Sequence, residues 1–188
     1  MGSCAAVARM GETLAEAILG QMRVLITGMS GAGKSALVHE LRRRGLRAFD
    51  ADEDGFSEPR ADGRWGWRAD AVADLLAAHS DGLLFFAGCS EEQSELPFDY
   101  RVLLTAPEPV LIERLQTRTG NAYGRAAAEL SQVRADLAEV EPLLRRSADL
   151  VLTMTAPLSQ VADRLIAEVA QGLDRGVHGR DRGRPPPL

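Results

Sequence analysis

At 188 residues, with 45% hydrophobic and 26% charged positions, the chain has material for one compact α/β domain and too little for two. A net charge of −5 supplies no global attraction to polyanions, which argues against a nucleic-acid partner or an anionic membrane surface. Cys4 and Cys89 build neither a disulfide framework nor a metal spacing, and no apolar run approaches the roughly 20 residues of a membrane span, so a reducing, cytoplasmic setting is expected.

In chain order, residues 1–21 read as an N-terminal extension, helical or disordered, in which Arg9, Glu12 and Glu16 interrupt any signal-like run. Met22 stands directly before the first convincing strand, a position where translation could begin. Short apolar runs then alternate with helical patterns. The strands are expected at Arg23 to Thr27, Arg47 to Phe49, Gly82 to Ala87, Tyr100 to Thr105 and Asp149 to Thr153. The helices are expected at Lys34 to Arg44, Trp67 to His79, Pro107 to Thr117, Arg125 to Arg146 and Pro157 to Ala170, with Pro107 and Pro157 suited to helix starts. Five strands separated by helices imply right-handed crossovers and a parallel sheet covered on both faces. The folded domain is therefore placed at residues 22–171, followed by a flexible Gly-, Arg- and Pro-rich tail over 172–188.

Gly28-Met29-Ser30-Gly31-Ala32-Gly33-Lys34-Ser35 fits G-x-x-x-x-G-K-[ST] and lies between an apolar strand and a helix, where its mechanism requires it. Such a loop curls its backbone N–H groups, including those near Ser30, Gly31, Ala32 and Ala36, toward the phosphates of ATP. Lys34 is expected to bridge the β- and γ-phosphates, and the Ser35 hydroxyl to hold Mg²⁺. Lys34 is also the single lysine among 22 basic residues, the other 21 being arginine. A compact ammonium fits beneath a tight phosphate loop where a planar guanidinium does not.

The third apolar strand ends without an acid, and the acids appear instead after the second, at Asp50 and Asp52. At alternate positions of an extended segment both carboxylates face one side, at the carboxyl edge of the sheet. Asp50 suits a metal-organising role, and Asp52 suits acceptance of the proton of an attacking hydroxyl. Read alone, the same run is also an acidic surface turn leading into Gly55.

On these residues the chain resembles the small-molecule kinases among P-loop proteins, shikimate-kinase-like and adenylate-kinase-like, over about residues 23–165. The resemblance implies a three-layer α/β P-loop NTPase fold with a five-stranded parallel sheet and a short lid at about 118–126. It implies that Asp50 and Asp52 bind Mg²⁺ and substrate, and that Gly88 lies close to bound substrate. It further implies that Arg114 packs on adenine, that Arg118 reaches the phosphates as a catalytic group, and that Pro157 contacts adenine. Arg125 either swings inward from the lid or begins the next helix.

The segment from Phe56 to Arg68 does not reproduce the substrate motifs of a shikimate kinase or a nucleoside monophosphate kinase, so neither substrate carries over. Its Arg60, Trp65 and Trp67 read as a cap that stacks on a sugar or base, or as a loop anchored by packed tryptophans. The expected activity is ATP- and Mg²⁺-dependent phosphoryl transfer to a small hydroxylated metabolite by a monomer or homodimer. An ATP-binding module or ATPase without an acceptor is the alternative. A GTPase-type switch ranks below both, because the sole Lys and the sole Asn121 leave no N-K-x-D.

Overall fold

The computed structural model describes residues 21–61, 63–118, 123, 124 and 126–177. Its main sheet has five strands: β1 (Met22–Thr27), β2 (Arg47–Asp50), β5 (Leu83–Ala87), β6 (Tyr100–Thr105) and β7 (Leu150–Thr153), in the order β2-β5-β1-β6-β7. Every pairing is parallel; Val24 of β1, for example, stands level with Phe85 on one side and Tyr100 on the other. The helices are α1 (Lys34–Arg43), α2 (Ala69–Ala78), α3 (Glu108–Thr117), α4 (Ala127–Glu139), α5 (Glu141–Ser147) and α6 (Leu158–Val177). No helix among the described residues is long and apolar enough to cross a membrane.

Period-two alternation divides the core between the two faces. Val24 and Ile26 of β1 pack with Leu37 and Leu41 of α1 and Leu165 and Val169 of α6, while Leu25 between them joins Val72 and Leu76 of α2 on the other face. β5 is buried at all five positions, which is why its sequence is an unbroken apolar run. A third cluster, Met29, Leu103 and Leu144, pins the phosphate loop against β6 and α5.

Four expectations need correction. Asp52 does not continue an extended segment with Asp50, because β2 ends at Asp50 and residues 51–55 form a turn tied by the Asp50 carboxylate. The segment read as a loop before a helix starting at Trp67 is a small antiparallel hairpin, β3 (Ser57–Pro59) and β4 (Trp65–Trp67), and α2 begins only at Ala69. The single helix expected over 125–146 is two, α4 and α5, meeting at Val140. Pro142 supplies the cause, since it lacks an amide proton and its ring crowds the preceding turn. The last helix runs through Val177, past the start expected for the tail, while residues 1–20 and 178–188 lie outside the described residues.

Candidate phosphate-binding and acceptor site

The carboxyl ends of β1, β2 and β5 deliver the loop Gly28–Gly33, the acids and Gly88 to one edge of the sheet. Gly33 caps α1 with a left-handed backbone, φ +99°, so the chain turns sharply from loop to helix where a side chain would be strained. A Cβ at Gly28 would run into the Leu104 carbonyl, so the loop can leave β1 only by lying flush on β6. Ala32 is buried beneath the loop and donates its N–H to Met29 O at 3.1 Å, closing the curl. Ser30 lines the cavity above; Ser35 and Ala36 occupy the first turn of α1, whose N–H groups have no partner within the helix.

Lys34 Nζ donates to Gly28 O at 2.7 Å and Met29 O at 3.3 Å, so the loop's own carbonyls hold the ammonium. Burial pushes its pKa down from 10.5; Cys89, Asp52 and Asp50 act against that shift, and Arg118 adds to it. These residues therefore share one electrostatic site.

Asp50 is buried, and its Oδ1 accepts the backbone N–H of Asp52 at 3.0 Å and of Glu53 at 3.2 Å. Its own N–H donates to Asp54 Oδ2 at 2.7 Å, so the turn that presents Asp52 is tied at both ends. Asp52 is exposed to the cavity and accepts the Ser57 hydroxyl at 2.6 Å.

That cavity, about 250 Å³, is lined by Gly28, Met29, Ser30 and Lys34 of the phosphate loop and by Ser57, Trp65, Gly66 and Trp67 of the hairpin. The two tryptophans differ: Trp65 is 69% exposed, whereas Trp67 is buried edge-on against Phe86, ring centroids 5.1 Å apart. Gly88 serves that packing, since a Cβ there would come within 2.6 Å of the Trp67 ring and 2.9 Å of Ala51. Arg60 does not enter the cavity; its guanidinium lies over Gly66 and pairs with Glu92 of the 3-10 turn Glu91–Ser94.

Arg114 braces the nucleotide end, donating to Met154 O at 2.6 Å and to Gly31 O at 3.4 Å, and so ties the phosphate loop to the segment after β7. Arg118 donates to Tyr123 O at 2.9 Å. Pro157 is exposed at the start of α6, and its carbonyl accepts Gln160 N–H at 2.9 Å. Most of the expected lid, Thr119 to Ala122 together with Arg125, lies outside the described residues. Asp136 of α4 also lines the cavity, anchored by Gln132 at 2.7 Å. Sequence reading missed it because nothing local marks it; only the packing of α4 brings it there.

Strand order, phosphate loop and acid-bearing second strand together define a P-loop protein of the small-molecule kinase type. The chain belongs to the AAA domain family, whose model matches residues 24–135. A shikimate kinase of Halorhodospira halophila is 29% identical over 167 residues, covering 80% of this chain and 94% of that one. Among solved structures, shikimate kinase from Acinetobacter baumannii in complex with shikimate has a TM-score of 0.63 at 16% identity, covering 84% of this chain and 98% of that chain. A gluconokinase from Sinorhizobium meliloti has a TM-score of 0.57 at 18% identity, covering 87% and 99%. These structural likenesses bear on the fold alone.

Proposed function

We propose that the protein transfers the γ-phosphoryl group of ATP, with Mg²⁺, to the hydroxyl of a small metabolite. The observation that carries this reading is a single cavity shared by Lys34 and Asp52, the phosphate-side cation and a candidate base, with an aromatic hairpin closing its far wall. At about 250 Å³ the space suits a metabolite rather than a polymer.

The donors present fit a hard cation. The Ser35 hydroxyl and the Asp50 carboxylate would hold Mg²⁺ beside the phosphates, where it would neutralise charge on the transferring phosphoryl group. Bound MgATP supplies the γ-phosphoryl group, and ADP leaves as the bond from the γ-phosphorus to its bridging oxygen breaks. Lys34 exchanges its loop carbonyls for phosphate oxygens, and the free N–H groups at the start of α1 add their positive end. Arg114 keeps the loop in register, and Arg118 contributes positive charge from beyond α3. Asp52, held by Ser57, orients the acceptor hydroxyl and takes its proton as the new O–P bond forms. The wall of Trp65 and Trp67 fixes the acceptor's ring or chain against that carboxylate.

The test is an ATP-consumption screen with Mg²⁺ across pooled nucleosides, sugars, cyclitols and hydroxy acids, beside an acceptor-free control. Acceptor-dependent ADP release with a product heavier by one phosphoryl group supports the reading. Equal release in every pool, with no phosphorylated product by mass, overturns it in favour of an ATPase.

A further inference from the structure

We propose that the acceptor carries no anionic group, and that the cavity selects an uncharged or amine-bearing alcohol. This rests on the kinase reading of the same site and specifies its substrate class.

Arginine is the side chain that recognises a carboxylate or phosphate in bidentate fashion, and the segment around the hairpin carries three. Each is engaged from within the chain. Arg60 pairs with Glu92, Arg64 Nη1 donates to Glu91 Oε1 at 2.8 Å, and Arg68 Nη1 donates to Gly55 O at 3.2 Å. The Arg64 pair is open to solvent, with side-chain exposures of 65% and 74%, and exposed pairs exchange partners at little cost. The Arg60 pair is held more closely. Glu92 keeps only 12% of its side-chain exposure; it also accepts the Ser90 hydroxyl and, at 3.4 Å, the backbone N–H of Trp67. Drawing Arg60 away onto a ligand anion would strand Glu92 as a desolvated, unpaired charge beside that same anion.

The groups left facing the cavity favour the opposite sign. Lys34 is committed to phosphate, and among the described residues the remaining charged side chains on the wall are Asp52 and Asp136. Hydroxyls and ammonium groups donate to carboxylates, and the exposed Trp65 ring offers a face for a sugar-like ring or a cation. Among the described residues that line the cavity, an anionic acceptor meets two carboxylates and no arginine.

The experiment measures binding of glucuronate, glucose and glucosamine, and of quinate against inositol, to the full chain with Mg²⁺ and a non-hydrolysable ATP analogue. Wild type is expected to bind the uncharged or amine member of each set at least about tenfold more tightly than the anion. Glu92→Gln releases Arg60 and is expected to narrow that ratio about tenfold while nucleotide affinity is unchanged. Arg60→Gln combined with Glu92→Gln, which leaves no charge stranded, is expected to leave glucosamine binding intact. Preference of the wild type for the anion, or loss of glucosamine binding in that double variant, overturns the proposal. The kinase reading fails separately, by ATP turnover without phosphorylated product, and the binding ranking still judges the charge rule in that event.

Discussion

On the proposed reading two residues divide the work at the site. Lys34, held by loop carbonyls, serves the phosphates, whereas Asp52, lining the same cavity on a turn organised by Asp50, serves the acceptor. Lys34→Ala is therefore expected to weaken ATP binding by about 10- to 100-fold or more, the scale of a lost charge-assisted contact. Asp52→Asn should keep ATP affinity within about threefold and lower kcat by about 10²- to 10⁴-fold, the range of a lost general base. Calorimetry and turnover on both variants check this, and equal loss of ATP affinity in the two removes Asp52 from the role of base. Gly88 makes a packing prediction. Its missing Cβ leaves room for the Trp67 ring, a rigid neighbour in a filled core, so Gly88→Ala should destabilise by about 1–3 kcal/mol in urea unfolding. Wild-type stability in that variant would show that the ring is free to move and that the glycine serves substrate approach instead.

At the scale of elements, α1 is joined to α6 through charge. Glu40 accepts from Arg43 and Arg44, and Arg44 continues to Asp163 of α6. The two guanidinium groups hold the Glu40 carboxyl at about 2, well below its ordinary 4.5. The folded pKa is depressed, so the stability it brings is present above 4.5 and lost as pH falls toward 2. Thermal melts of Glu40→Gln should therefore lie below wild type at neutral pH and converge with it near pH 2; a constant gap across that range contradicts the linkage. The main-sheet strands and the phosphate loop are legible in the sequence because local signals carry them: β5 is apolar throughout, and the glycines of the loop recur at fixed spacing. The hairpin is not, since β3 and β4 have three residues each and Gly66 interrupts any alternation. Nor are the Arg60–Glu92 pair and the place of Asp136, which depend on how distant elements meet rather than on neighbouring residues.

For the whole molecule, one sheet serves two cores. β1 sends Val24 and Ile26 to the face covered by α1 and α6 and Leu25 to the face covered by α2, so neither core can be lost while the sheet that carries the phosphate loop survives. The site draws on both faces: α1 begins at Lys34, and Trp67 of the α2 side walls the cavity. Leu76 of α2 and Leu165 of α6 are both fully buried, on opposite faces. Leu76→Ala and Leu165→Ala should each destabilise by about 2–5 kcal/mol, through lost burial and the cavity left behind. If the sheet makes the domain a single cooperative unit, each variant unfolds in one transition, with fluorescence of the tryptophans beside α2 and far-UV circular dichroism giving the same midpoint. Loss of ATP binding should follow that same curve in both variants. Separate midpoints, with the α2 side melting while the phosphate loop still binds ATP, would show instead that the two faces fold independently and that the acceptor wall can open without disturbing the nucleotide site.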